Sequence, residues 1–317
     1  MIVRLVIAVF FLAGLGDVSL AKRCGDDVDG VDVPCSCGDV VVSDLVLGDD
    51  PVASQVCPGT GLVVDASGTS PLTIDLAGRT LRGSGEEYGL LVKYGGVGGA
   101  SVTSGTGRAT IEHFALGVSA SADDGVGLLE KVTVRDTQRD GVRLRGKGVV
   151  VRQAEVVRAG RDGFVFSGRD YVAEGNRSTS SGRHGFMLLG HSGTLSEHNE
   201  AVHSGGVGFM VAGGGHSLVD CNAAGGMKDG FEVVASDLTI TRCTAENNRG
   251  SGIGGHGARW KLEANRASGN GGDGIRVRGG RLADLGGNRG WNNGGSSGAD
   301  AVQCAIAGVA CAEAAAP

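Results

Sequence analysis

The chain has 317 residues, of which 60 are glycine, with 29 Lys and Arg against 35 Asp and Glu and a formal net charge of −6. A mildly acidic balance without a basic block argues against nucleic acid as a partner. Abundant glycine would suit a collagen-like fibre or a disordered chain, but no three-residue period runs through the sequence and 41% of it is hydrophobic, which excludes both.

Residues 1–21 have the form of an export signal. Arg4 supplies a positive start, Leu5 to Leu15 are almost wholly apolar, and Ser19-Leu20-Ala21 offers small residues for cleavage after Ala21. No later stretch approaches the roughly 20 apolar residues of a transmembrane helix, so no membrane span is expected after cleavage. All eight cysteines, at 24, 35, 37, 57, 221, 243, 304 and 311, lie beyond that point, and an even number in an exported chain points to disulfides. Cys35-Ser36-Cys37 is too tightly spaced for an ordinary zinc pair. Residues 22–60, holding Cys24, Cys35, Cys37 and Cys57, read as a stapled N-terminal cap whose pairing is open.

From residue 61 to 298 the sequence repeats. A glycine followed by an apolar, a variable and an apolar residue recurs at Gly141, Gly163, Gly185, Gly208, Gly230 and Gly274, with Gly252-Ile253 in the remaining slot. Successive glycines are 22, 22, 23, 22, 22 and 22 residues apart. Gly61, Gly89 and Gly117 are earlier, less regular members and Gly298 a last weak one. A unit of this length holds no helix pair, so each repeat is one coil of a β-solenoid. The expected architecture is all-β: a single-stranded right-handed parallel β-helix of about ten coils, its hand set by the bias of parallel crossovers.

Stacked coils turn the repeat into columns at the strand spacing of roughly 4.8 Å. Phe164, Phe166, Phe186, Phe209 and Phe231 then form an internal stack. Asn176, Asn199, Asn222, Asn265 and Asn288, with Thr244 in the missing slot, form a turn ladder that satisfies backbone groups. Cys221 and Cys243, one coil apart, are expected to be disulfide-bonded, because strand spacing falls within the Cα separation a disulfide allows. Cys304 and Cys311 would close a loop in the C-terminal cap and tail, residues 299–317.

The glycine-led coils and the asparagine ladder resemble the right-handed β-helix repeats of the pectin-lyase-like superfamily, which pectate lyases, mannuronan epimerases and NosD-like periplasmic proteins share. Cys57-Pro-Gly-Thr-Gly-Leu-Val-Val64 and Leu72-Thr-Ile-Asp-Leu-Ala-Gly-Arg-Thr-Leu81 are similar to the opening of many secreted bacterial proteins of this kind. The resemblance is specific for fold and weak for activity, since one fold hosts many functions. Two departures matter. The Asp-Pro-His tripeptide of mannuronan epimerases is absent, and the tight spacing from Gly141 to Gly274 leaves no room for the long loops that wall a pectate lyase cleft. A shallow groove is expected instead. Spare length exists only between Gly61 and Gly117, where Glu86, Glu87, Tyr88, Lys93 and Tyr94 could raise a rim.

Chemistry, if the chain carries any, is expected just before the repeat glycines. Arg139-Asp140, Arg161-Asp162, Arg183-His184 and Lys228-Asp229 fall there, and stacking would place Asp140, Asp162 and His184 on neighbouring rungs. An enzyme acting on uronate sugars needs cations to neutralise the sugar carboxylate and a base to remove the adjacent proton. His184, with Asp162 and Asp229, is the catalytic candidate; Arg139, Arg161, Arg183, Lys228 and Asp140 are the substrate-binding candidates. The competing reading is ordinary turn chemistry and surface ion pairing. Glu174, Glu197 and Asp220 suggest an acidic column at which calcium is conceivable, although no cofactor is implied. His184, His191, His198 and His203 are close in sequence but should point from different walls. The expected function is an exported β-helix that binds an extended acidic polysaccharide and, if it is an enzyme, processes it as a lyase, epimerase or glycoside hydrolase. The alternatives are a non-catalytic surface or adhesion module and a periplasmic metal-handling protein.

Overall fold

The computed structural model describes residues 21–294 apart from 69, 94–98, 123–126, 197 and 279–281. Residues 1–20 of the export signal, Tyr94, Glu197, Gly298, Cys304 and Cys311 therefore lie outside the described residues.

The chain winds into a parallel β-solenoid whose coils each contribute strands to three walls. The first wall carries the glycine-led strands, among them Val142–Lys147, Phe164–Glu174, Phe186–Ser196, Phe209–Val219, Phe231–Ser236, Ile253–His256 and Ile275–Arg278. Three of these are 11 residues long because they bend through a glycine into the second wall without a break in pairing. The third wall is a separate sheet of 11 short parallel strands ending at Arg289–Trp291. Every coil-to-coil register keeps the repeat: Val142 pairs with Phe164, Phe164 with Phe186, Phe186 with Phe209, Phe209 with Phe231, Phe231 with Ile253 and Ile253 with Ile275.

Alternation along each strand sends every second residue inward, and the interior is filled by complementary volumes. Phe164, Phe186, Phe209 and Phe231 stack with ring centroids 4.8, 4.7 and 4.8 Å apart and nearly parallel planes. In the coils with these large rings the third wall turns in small residues, Ser178, Ala201, Ala223 and Ala245. Where the first wall turns in Val118 and Val142, the third offers Val134 and Val156. The repeat glycines belong to the same packing. A Cβ on Gly208 would lie 2.6 Å from the Gly230 carbonyl oxygen and 2.8 Å from the Ala223 Cβ.

The corner between the second and third walls holds the ladder, with a membership different from that expected. The Oδ1 of Asn176 accepts the N–H of Ala154, Asn199 that of Asn176, Asn265 that of Cys243 and Asn288 that of Asn265. The two rungs between are Cys221 and Cys243, not Asn222 and Thr244. Cys243 Sγ accepts the Cys221 N–H at 3.3 Å and donates to the Leu218 carbonyl, the class of group to which each ladder asparagine also donates. Asn222 stands one residue later in a third-wall strand.

This placement also corrects the expected Cys221–Cys243 disulfide. Both are buried thiols that are not joined by a disulfide. In-register neighbours carry parallel Cα–Cβ bonds, which leaves their Cβ atoms at about the strand spacing, whereas a disulfide needs roughly 3.8 Å between them. Burial, first of all, holds the Cys221 thiol well above its ordinary pKa. A second amide ladder was missed in the sequence: Asn248, Asn270 and Asn293 line the next corner, where each Oδ1 accepts the backbone N–H one coil earlier.

At the N-terminal end, Arg23–Val28 pairs antiparallel with Val31–Val33 and parallel with Val40–Val41, so the cap begins the stack. Disulfides Cys24–Cys35 and Cys37–Cys57 staple it, with the short helix Pro51–Ser54 between the last two cysteines.

Candidate ligand-binding face

The residues before the repeat glycines do stack, but most of them work inside the fold. Asp140 Oδ1 accepts the Asp162 N–H at 3.4 Å, Asp162 Oδ1 the His184 N–H at 3.1 Å, and His184 Nδ1 the Val207 N–H at 3.2 Å. Asp140, Asp162 and His184 are buried. They form a third ladder, in which carboxylate and imidazole take the part played elsewhere by asparagine.

Their cations are similarly engaged. Arg183 grips Asp162 through both Nε, at 2.8 Å, and Nη2; Arg143 pairs with Asp140, and Arg161 approaches the same carboxylate at 3.9 Å. Burial, as the largest influence, pushes His184 below its usual pKa, opposed by the nearby Asp162 charge. The neutral ring is the stable form, yet its Nδ1 lone pair is committed to Val207, which leaves Nε2–H only to donate. A base needs an accepting nitrogen, so this geometry gives His184 and Asp162 structural work. Arg139 and Lys228 project into solvent from the turns.

Glu174 and Asp220 do not share the expected acidic column. Glu174 pairs in register with Ser196 and bonds Arg152 at 3.1 Å, whereas Asp220 sits in a turn with Arg242 at 2.7 Å. The four histidines separate: His184 in the buried ladder, His191 on the first wall, and His198 and His203 at two turns with positive φ.

The outward face of the first wall is organised differently. Three columns run along the solenoid axis. The first is Arg143, Val165, Met187, Met210, Glu232, Gly254 and Arg276; the second is Arg145, Ser167, Leu189, Ala212, Val234, His256 and Arg278. Beyond a column of glycines, 146, 168, 190 and 213, stands the third: Lys147, Arg169, His191, Gly214 and Ser236.

At these glycines the strands bend with φ of 116 to 140°, where a side chain would be strained, and a Cβ on Gly168 would lie 1.9 Å from the Gly146 carbonyl oxygen. The sheet can turn its corner there only on bare backbone. The result is a trough with a glycine floor, rimmed by Arg145 on one side and Lys147, Arg169 and His191 on the other; it encloses about 580 Å³. Arg145, Lys147 and Arg169 are exposed and have no carboxylate partner among the described residues. This contrasts with Arg158, Arg242 and Arg259 on other corners, each paired with the Asp one coil before it: Asp136, Asp220 and Asp237.

A second basin opens farther along the face, lined by Asp229, Glu232, Ser251, Gly254, Gly255, His256, Arg276 and Arg278. Asp229 Oδ1 accepts the Ser251 N–H at 2.7 Å, and burial, foremost, pushes its carboxyl above the usual carboxylate range. Sequence reasoning found Asp229 but missed Arg145, Lys147, Arg169 and His256. All four stand just past the Gly-apolar-x-apolar unit, where the repeat fixes no residue type. Beneath the bend, Tyr171 and His216 are buried and joined by an Oη–Nδ1 hydrogen bond of 3.2 Å, in the space left by Gly193.

Comparison with known proteins agrees with this architecture. The sequence matches the family described as the right-handed β-helix region over residues 116–289, more than half of the chain. No curated protein sequence matches. Among solved structures, a double mutant of the periplasmic alginate epimerase AlgG aligns with a TM-score of 0.51 at 15% identity, covering 83% of this chain and 82% of that one. The A-module of mannuronan C-5 epimerase AlgE4 from Azotobacter vinelandii has a TM-score of 0.45 at 16% identity, covering 74% and 79%. The catalytic unit of a GH87 alpha-1,3-glucanase from Streptomyces thermodiastaticus scores 0.48 at 16% identity, covering 74% of this chain and 55% of the glucanase. At these identities the likeness speaks for fold alone, and the chain belongs to the right-handed β-helix family.

Proposed function

We propose that this is an exported β-helix protein that binds an extended acidic polysaccharide along its first wall. The observation that carries the reading is the trough, in which Arg145, Lys147 and Arg169 stand over a glycine floor with no carboxylate partner among the described residues. Unpaired cations on a face whose chain is acidic overall are a recognition element for an anion. A floor of bare backbone lets a sugar ring approach closely. An open trough aligned with the coil axis suits a linear polymer better than a compact ligand. Leu189, Met210, Ala212 and Val234 continue the face as an apolar strip on which sugar rings can rest. The β-helix of the periplasmic alginate epimerase, a protein whose name ties it to an acidic polysaccharide, supports the same class of ligand. Two disulfides and the apolar N-terminal segment support export to an oxidising compartment.

Titration of the protein with polygalacturonate, polymannuronate and a neutral glucan tests the reading. Binding to at least one acidic polymer, weakened by added salt, together with none to the neutral glucan, is the expected pattern. Equal binding to neutral and acidic polymers would remove the role given to the cations.

A further inference from the structure

The outward face of the third wall carries an order that neither the core nor the ladders require. In each of its strands from Val132–Arg135 onward, the second-last residue turns in and its two neighbours turn out. Two outward columns result. The first reads Glu155, Arg177, Glu200 and Asn222 along the axis, and the second reads Arg135, Val157, Thr179, Val202, Ala224 and Glu246. The second column is thus a half-buried, mostly apolar strip closed by a cation at one end and an anion at the other. Within the chain Arg177 pairs with Glu200, and Arg135 shares the buried Glu112 with Arg82. The Glu246 side chain has no partner among the described residues.

Reversed, this pattern is complementary to itself. Turning a second copy end over end about an axis parallel to the strands, midway between the Arg177 and Glu200 rungs, sets each column against itself in the opposite order. Arg177 then faces Glu200 of the second copy and Glu200 faces its Arg177; Arg135 faces Glu246, Val157 faces Ala224 and Thr179 faces Val202. Farther out, Arg82 comes over Trp291, a half-buried indole at the far end of the second column, in the geometry of a cation on an aromatic face. At the rim Lys131 falls opposite Arg242, whose charge Asp220 already balances. The register is selective. Moving the axis by half a coil step puts Arg177 against itself in one direction and Glu200 against itself in the other. A parallel copy, related by an axis along the solenoid, lays the charged column over Val157, Thr179 and Val202 and takes its ions out of water without new partners.

We propose that two copies of this chain associate through their third walls as an antiparallel dimer in which each column meets itself. The nine coil steps from the Arg82 rung to the Trp291 rung span about 43 Å. With a contact about 12 Å wide, the two faces together bury about 1,000 Å², the lower bound of a specific interface. Apolar area of that size gives a modest affinity, and the charge pairs fix the partner and the register. Both first walls stay open, so the dimer does not depend on the ligand proposed for them. It would present two such faces to a polymer at once.

Sedimentation velocity of the full chain, at concentrations from about 1 to 100 µM where an interface of this size associates, tests the proposal. The expected result is a reversible monomer–dimer equilibrium that added salt weakens. Arg177→Glu and Glu200→Arg should each weaken association by about tenfold or more, because each sets like charges across the axis twice. Circular dichroism of both variants should match wild type, since the two positions face solvent in the monomer. Mixing the two variants should restore association to near wild-type strength, as the two anions of one chain then meet the two cations of the other. An ion pair that acts only within its own chain gives no such recovery. A wild type that stays monomeric throughout, a dimer indifferent to both variants, or variants that fail to associate when mixed would overturn the inference. Polymer binding at the first wall is read separately and stands or falls on its own titration.

Discussion

Cys221 and Cys243 show how a column can decide what a residue does. Each occupies a slot that Asn176, Asn199, Asn265 and Asn288 fill elsewhere, where an inward-turned group must accept the backbone N–H of the coil before it. A thiol accepts and donates weakly, so this stretch of ladder is its softest part. Cys243→Ala removes the acceptor for the Cys221 N–H and should cost about 1–3 kcal/mol. Cys243→Asn restores an amide to the ladder and should leave stability equal to or above wild type. Chemical denaturation of both variants checks this; an alanine variant as stable as the asparagine one would mean that the slot carries no hydrogen-bonding load. The same reasoning explains why the expected disulfide is absent: spacing along the sequence gave the right neighbours, but not the parallel direction of their Cβ atoms.

At the scale of one coil, glycine marks two different requirements. The repeat glycines, such as Gly208, sit where the first wall approaches the third, and their place was legible because it recurs every 22 or 23 residues. Gly208→Ala should destabilise the fold by about 1–3 kcal/mol through overpacking, measured as a lowered midpoint in a denaturant titration. No loss would show that the coil can widen there at little cost. The glycines at 146, 168, 190 and 213 answer to the bend in the first wall and recur equally well, yet among sixty glycines the sequence offered no reason to separate them from turn residues. The Phe stack and the parallel walls could be read ahead because inward periodicity is strict. Asp140, Asp162 and His184 were assigned to the correct rungs, but the sequence could not say that their side chains turn into the corner and bond to backbone. The exposed cations went unnoticed because they follow no repeat: in the Arg145 column the outward residues are Ser167, Leu189 and Ala212, and only the stacked structure shows that Lys147 and Arg169 face Arg145 across the bend.

Over the whole molecule, charge is sorted by wall. Ion pairs repeated from coil to coil tie down the corners, Asp136 with Arg158, Asp220 with Arg242 and Asp237 with Arg259, and such arginines hold their carboxylates below the usual range. On the first wall Arg145, Lys147, Arg169 and Arg278 have no carboxylate partner among the described residues, the first three in one group and Arg278 in another beside Arg276, which pairs with Asp273, with an apolar strip between the groups. From the Arg145 rung to the Arg278 rung is six coil steps, about 29 Å at the strand spacing, enough for one linear polymer to touch both groups. The most direct measurement is the affinity of the best acidic polymer for a trough variant, Arg145→Ala with Lys147→Ala and Arg169→Ala, against a control that removes Arg158, Arg242 and Arg259 from the corners. Both lose the same charge. At about 0.5 kcal/mol per exposed contact, the trough variant should bind roughly tenfold more weakly than wild type and the control nearly as well as wild type. Equal weakening of the two would mean that net charge, and not the trough, attracts the polymer.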